Sequence, residues 1–222
     1  VMLARVRTLR GDVAGGQTLI TQAESRAPPN DSLARAMLLC TRATIGFYAG
    51  GTTGVQMAQE GSRLARQLGD YRTAAVCTQW RGMQLQRAGY LTEAESVLVN
   101  SAADARRVGA HDVAAYSDQF RGFVLSQLGE FGAAQRAYEV SLAAARKSGE
   151  TRAEGWAAAG QAGIATITGD FPRAVALRDR AEAIFTANGD QPGLTIALQA
   201  KGFLAKRQGD VAGATAIYLE EL

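Results

Sequence analysis

Histidine and cysteine, which often perform nucleophilic catalysis or hold metals, are scarce in this chain and far apart along it. His111 is the only histidine, so a serine–histidine or cysteine–histidine couple could form only around that residue. Cys40 and Cys77 have neither a CxxC partner nor a histidine at the spacing of a metal site. We therefore predict a protein that is not an enzyme, with no catalytic residue, no metal site and no cofactor.

The 25 glycines do not form a phosphate-binding loop, because no GxGxxG or Walker-type segment stands between a strand and a helix. Instead, glycine recurs every 20 residues from Gly69 to Gly209. The next residue is often acidic or aromatic, as in Asp70 and Tyr90. Glycine supplies the left-handed conformation that ends one helix, and an aspartate can accept hydrogen bonds from the first amides of the next. Each unit is therefore predicted to be one helix and one turn.

Alternate units resemble each other more closely than neighbouring ones, so the full period is 40 residues, which corresponds to one helical hairpin. Segments 79–83, 119–123 and 199–203 each carry Gln, a basic residue, Gly and a bulky or apolar residue in the same order. A glycine inside a helix costs about 1 kcal/mol relative to alanine. Gly82 and Gly122 are therefore expected where two helices approach too closely for a side chain.

One family shares this order of small residues and turns. Gly122 is followed by the turn Gly129-Glu130-Phe131 and then by Ala134, which resembles the tetratricopeptide repeat with its first (A) helix, turn and second (B) helix. The resemblance covers nearly the whole chain. The period exceeds the family's usual length of about 34 residues, so each helix is longer. Such long helices are similar to those in the sensor arms of bacterial activators related to the maltose-operon activator, and in peptide-pheromone receptors.

The resemblance implies an all-α, right-handed superhelix (α-solenoid) of antiparallel helix hairpins, with residues 1–222 as a single domain. A helices are predicted at residues 31–49, 71–88, 111–128, 151–168 and 191–208, and B helices at 12–27, 52–68, 91–107, 131–147 and 171–187. Residues 1–9 and 211–222 are predicted to be parts of two further helices. Truncated repeats at both ends would expose apolar faces, so we expect a piece of a longer protein in which self-association is an open alternative.

The composition agrees with closely packed helices in a soluble protein. Hydrophobic residues make up 47% of the chain and aromatic residues 7%, so alanine, leucine and valine must build most of the core. Charged residues at 20% are too few, against that hydrophobic content, for a disordered chain. The longest uncharged stretch, residues 155–169, is too short and too polar to cross a bilayer. We expect a cytoplasmic protein without membrane contact.

The net charge of +3 raises the question of nucleic-acid binding. Pairs such as Arg63/Arg66 and Arg106/Arg107 fall near the ends of predicted B helices, where each cation stabilises the helix dipole by about 0.3–1 kcal/mol. Helix capping accounts for these arginines, so directly bound nucleic acid is disfavoured.

Partner contacts are expected on the A-helix face that points away from the B helix, because stacked hairpins curve with their A helices inside. Residues on one helix face recur every three or four positions. Glutamine amides can donate to and accept from a peptide backbone, while phenylalanine and methionine give apolar contact. The predicted partner-binding residues are Gln79, Met83, Gln86, Arg87, Gln119, Phe123, Ser126, Gln127, Trp156, Gln199, Phe203 and Lys206. The alternative is that Met83, Phe123 and Phe203 are ordinary core.

Tetratricopeptide domains that bind chaperones hold a C-terminal carboxylate with Lys, Asn and Arg on successive A helices. Gln79 and Gln119 stand near those positions here, so carboxylate capture of that type is not expected. Trp80 and Phe120, one residue further along, are expected to pack toward neighbouring helices as core. The sequence thus predicts a non-catalytic protein- or peptide-binding module for sensing or scaffolding in a larger bacterial protein. The alternative is the ligand-sensing arm of a transcriptional regulator that binds a small molecule or a signalling peptide.

Overall fold

A computed structural model describes residues 1–27, 31–51 and 54–219. This part of the chain consists of helices joined by short turns and contains no strand. The helices are α1 (Met2–Leu9), α2 (Val13–Arg26), α3 (Ser32–Tyr48), α4 (Gly54–Gln67), α5 (Tyr71–Arg87), α6 (Leu91–Arg107), α7 (His111–Gln127), α8 (Phe131–Ser148), α9 (Thr151–Thr168), α10 (Phe171–Asn188), α11 (Gln191–Arg207) and α12 (Val211–Leu219). Odd-numbered helices are the A helices and even-numbered helices are the B helices.

The predicted helix boundaries are confirmed to within one residue wherever the chain is described. Residues 28–30, between the predicted helices 12–27 and 31–49, lie outside the described residues, as do the predicted start of α4 at 52 and the predicted end of α12 at 222. The agreement is close because the boundaries are encoded locally, in a glycine and the residue that follows it.

The turn before α11 shows how this local signal works. Gly189 has a φ of 60° and ends α10 in the left-handed conformation, which costs glycine little and other residues more. The Asp190 amide then donates to the carbonyl of Phe185 at 2.9 Å. The Asp190 carboxylate accepts from the Gly193 amide at 3.2 Å and thereby begins α11. The predicted turn chemistry is confirmed at this position.

Close approach of the A and B helices is also confirmed. A Cβ atom placed on Gly82 would lie 2.7 Å from Cγ of Leu98, and one on Gly122 would lie 2.7 Å from Cε1 of Tyr138. Leu98 and Tyr138 are both buried. Gly82 and Gly122 are therefore each covered by a large side chain of the B helix that follows.

The A helices also pack against one another: α3 contacts α5, and the series continues through α7, α9 and α11. The first and last repeats meet across the concave side. Arg152 of α9 donates to the backbone carbonyl of Leu9 in α1 at 3.0 Å, and a Cβ atom on Gly11 would lie 3.5 Å from Cδ of Pro192. α1 therefore faces the later A helices across a partly enclosed space.

Candidate partner-binding groove

A cavity of about 320 Å³ lies on the concave side of the solenoid. One wall is α1, and the other is built from the N-terminal halves of α5 and α7 together with the first residues of α9 and the turn before α11. Its position follows from the contact of α1 with α9, which closes over the inner surface. We call this space the groove cavity.

Aromatic side chains from successive A helices form the apolar wall of the groove cavity. The ring centroids of Trp80 and Phe120 are 5.6 Å apart, and those of Phe120 and Tyr116 are 6.3 Å apart. On the other side of Trp80, the rings of Phe47 and Tyr48 lie 5.6 and 5.9 Å away. Such spacings are typical of favourable ring contacts. Trp80 and Phe120 pack with the core as predicted, and both also line the cavity.

A buried ion pair stands at the edge of this wall. Nε of Arg152 lies 2.8 Å from Oδ2 of Asp190, and their side chains are 14% and 1% exposed. Nε has the distance of an ion pair but not the geometry of a hydrogen bond to any described residue; another guanidinium nitrogen donates to Oδ1 of Asp190 at 3.3 Å. Trp156 Nε1 donates to Oδ2 of the same carboxylate at 2.9 Å. The surrounding donors offset the cost of burying the Asp190 charge.

The electrostatics of this cluster keep Arg152 charged and the tyrosines neutral. Burial raises the pKa of Tyr116, whose hydroxyl donates to Oε1 of Glu150 at 3.2 Å. Burial also raises the pKa of Tyr48, against the effect of Arg152. For Arg152, burial acts to lower the pKa, but Tyr48, Tyr116 and Asp190 raise it overall. The cluster therefore holds a fixed cation beside the aromatic wall.

The remaining arginines of the groove cavity differ in their pairing. Arg72 of α5 donates to Oδ1 of Asp112 in α7 at 2.9 Å. Arg5 and Arg10, which line the α1 side, have no carboxylate partner in the described parts of the chain. The α1 wall is therefore positively charged without local compensation.

Among the predicted partner-binding residues, Gln79 lines the groove cavity. Gln79, Met83 and Gln119 are buried, with 5%, 4% and 5% of their surface exposed. Gln86 and Gln127 come together near the C-terminal ends of α5 and α7, where an amide hydrogen bond of 2.9 Å joins them. These five predicted residues are thus divided between the interior and the C-terminal ends of the A helices.

The other predicted residues lie outside the lining of the groove cavity. The Arg87 guanidinium stacks at 4.2 Å over the ring of Phe47, and Ser126 bonds back to the carbonyl of Gly122. Trp156 supports Asp190, as described above. Four residues are exposed on α7 and α11: Phe123, Gln199, Phe203 and Lys206. Their role in partner contact, like that of the whole set, stays a prediction.

The sequence interpretation missed the charged residues of the groove cavity. A signal was present, because Arg72, Asp112 and Arg152 stand 40 residues apart and each is the second residue of an A helix. Tyr116 and Trp156 repeat at the same interval. The glutamines on which the prediction is based lie in the middle and C-terminal parts of the A helices, whereas the cavity lies toward their N-terminal ends.

Two negative observations apply to residues 1–27, 31–51 and 54–219. None of the helices there combines the length and apolar character needed to cross a membrane. The same residues contain no group of three or more His, Cys, Asp or Glu side chains that could hold a metal ion.

Comparison with known proteins shows the fold. No protein-family model matches the chain, and no curated protein sequence matches it. Three solved structures are similar: the apo form of RapI (13% identity, TM-score 0.72, covering 99% of this chain and 81% of RapI); a Rap protein complexed with competence and sporulation factor (15%, 0.74, 98% and 68%); and BtubC from P. vanneervenii (17%, 0.68, 96% and 92%). The predicted all-α, tetratricopeptide-like solenoid is confirmed.

Proposed function

We propose that this chain is a non-catalytic binding module that holds a peptide, or a peptide segment of a protein, in the groove cavity. The observation that carries the proposal is a concave space of about 320 Å³ between an aromatic wall and a wall of unpaired cations. Ligand sites are typically concave, mostly apolar and supplied with a few polar groups that fix orientation. The groove cavity has each of these properties.

The chemistry of the lining suits a short peptide. Trp80, Tyr116 and Phe120 offer ring surface for apolar side chains, and the Gln79 amide can both donate to and accept from a peptide backbone. The ion pair of Arg152 and Asp190 holds these walls in place before a ligand arrives. Preorganised walls lose less conformational entropy on binding.

A structural neighbour supports this use of the fold. The Rap protein with a TM-score of 0.74 was solved in complex with competence and sporulation factor. A solenoid of this architecture can therefore hold a bound factor, and the groove cavity is the place where this chain offers enclosed surface for one.

A sensing role is a second proposal, and the contacts of Arg152 favour it. This residue touches Tyr116 in the groove, Leu9 at the first repeat and Asp190 at the last A helix. A peptide or small molecule in the groove would lie beside Arg152 and could change its contacts with Leu9 and Asp190, which join the two ends of the array. The chain would then serve as a sensor arm or scaffold in a larger bacterial protein, in the manner of activators related to the maltose-operon activator.

The proposed binding function can be tested by filling the cavity. Val6 lines it from α1 and is 41% exposed, so Val6→Trp adds a ring inside the cavity without disturbing a buried core. Val140 on α8 is 46% exposed and lies outside the cavity, so Val140→Trp is the matched control. We expect Val6→Trp to weaken the capture of random hexapeptides at least about tenfold and the control to leave it unchanged. Equal capture by both variants would contradict a site in the groove.

A further inference from the structure

We infer that the groove cavity selects acidic peptides and that Arg5 and Arg10 of α1 pair with the peptide's carboxylates. This inference rests on the proposed peptide-binding function and adds to it the chemistry that the peptide must carry.

The four arginines that line the cavity differ in whether a carboxylate pairs with them. Arg72 is matched by Asp112 and Arg152 by Asp190. Arg5 and Arg10 line the same space and lack such a partner within the described ranges. Arg5 is partly buried, so it gains more from an opposite charge than a cation in open water does, because the local dielectric is lower. Arg10 is exposed and adds positive charge to the same wall. The two unpaired guanidinium groups therefore favour an anionic ligand.

The three carboxylates of the lining offset this positive charge only in part. Asp112 and Asp190 are already paired, and Glu150 accepts the hydroxyl of Tyr116 on the opposite wall. Four arginines against three carboxylates leave an excess of positive charge in the lining, and α1 contributes cations only. The charge is therefore concentrated on one wall.

The position of α1 makes this wall usable for recognition. The hydrogen bond from Arg152 to the carbonyl of Leu9 fixes the helix opposite the aromatic wall. A peptide with a carboxylate and an apolar side chain could contact both walls at once. Arginine binds carboxylates through two parallel hydrogen bonds, so the contact is directional as well as electrostatic.

This arrangement differs from carboxylate capture by successive A helices. The cations here come from α1, on the far side of the cavity, while Gln79 on α5 is neutral. The carboxylate could be a peptide's C-terminus or an aspartate or glutamate side chain, and both sources share the same chemistry.

The test uses random N-acetylated hexapeptides, made once with free C-terminal carboxylates and once with C-terminal amides. Captured peptides are identified by mass spectrometry after incubation with the unmodified protein, with Arg5→Gln/Arg10→Gln, and with Arg136→Gln/Arg173→Gln. Arg136 and Arg173 are exposed, lie outside the cavity and carry no ion pair in the described structure. The control therefore removes the same charge elsewhere, and circular dichroism checks that each variant is helical.

We expect the unmodified protein and the control variant to capture peptides that carry a carboxylate about tenfold more than peptides with an amide in its place. The Arg5/Arg10 variant should lose this preference while still capturing apolar peptides. Preference for the free-acid library identifies the chain end, and preference for Asp or Glu over Asn or Gln in the amide library identifies a side chain. Capture without carboxylate preference, or with the same preference in the Arg5/Arg10 variant, would overturn the inference but leave the proposed function standing. Failure to capture any hexapeptide would overturn both.

Discussion

Arg152 donates a hydrogen bond to the backbone carbonyl of Leu9, a residue 143 positions earlier, at 3.0 Å. The same guanidinium forms the ion pair with Asp190 at the start of α11. One side chain thus joins the first repeat, the groove and the last A helix. This relationship closes the concave surface into a cavity and gives α1 its place in the proposed site.

Arg152→Met should destabilise the protein by about 3–5 kcal/mol, because it leaves the buried Asp190 carboxylate without its cation. Chemical denaturation measures this change in the free energy of unfolding. Faster hydrogen exchange in α1 should accompany it, since the bond to Leu9 is lost. The matched control is Arg146→Met, which removes a largely exposed cation paired with Glu154 and should cost less than about 1 kcal/mol. An equal loss of unfolding free energy in both variants would contradict a stabilising role of the Arg152–Asp190 pair.

Gly122→Ala should destabilise by about 1–3 kcal/mol through overpacking, because the added methyl group would lie within 2.7 Å of the buried ring of Tyr138. Gly163 in α9 provides the opposite case, since a Cβ atom there meets nothing within 4 Å. Gly163→Ala should stabilise by about 0.5–1 kcal/mol, as expected in a helix interior. Thermal melts of the two variants should therefore move in opposite directions. A shift of the same sign would show that helix propensity, not the A–B contact, governs both positions.

Asp118 should make the protein less stable as pH rises from about 4 to 6. Burial raises its pKa to about 6, against the effects of Arg106 and Arg121. Between these pH values the folded state therefore holds a proton on Asp118 that the unfolded state releases. The stabilisation that this proton gives is lost as pH rises through the pKa of the folded state. In denaturation at several pH values, the stability of the unmodified protein relative to Asp118→Asn should fall across this interval. A flat difference would contradict the raised pKa.

Asp112 should show the opposite dependence. Burial acts to raise its pKa, but the hydrogen bonds and charge of Arg72 lower it overall. The stabilising pair is therefore present at neutral pH and lost as pH falls through the folded pKa. Stability measured relative to Asp112→Asn should decline on acidification, in contrast to the Asp118 comparison. A decline of stability toward alkaline pH in the Asp112 comparison would be inconsistent with the observed pairing.

The sequence and the structure agree where the determining contacts are local. Gly189 and Asp190 encode a helix end and the next helix start within a few residues, so the boundaries could be predicted. Gly122 also indicated a close helix contact, which the ring of Tyr138 provides. These features depend on neighbours within one hairpin.

The groove cavity could not be located in this way, because it depends on contacts between distant repeats. Its walls come from α1 and from helices that begin between residues 71 and 191, and the curvature of the whole array decides whether they meet. The residues Arg72, Asp112 and Arg152 show a 40-residue periodicity, but their pairing across the inner surface appears only in three dimensions. Gln119, which the sequence predicts to be a contact residue, is buried, and its role in partner binding stays a prediction.

Occupation of the groove cavity by a peptide can be tested directly with the two tryptophans. Trp80 lines the cavity and Trp156 supports its ion pair, and the chain contains no other tryptophan. Nuclear magnetic resonance of the two indole N–H groups should be recorded while hexapeptides captured from the random library are added. We predict saturable shifts of both signals in the unmodified protein. In Val6→Trp, where the new tryptophan adds a third indole signal, the Trp80 and Trp156 signals should no longer shift. Peptide binding that leaves both indole signals unchanged would place the site elsewhere on the solenoid.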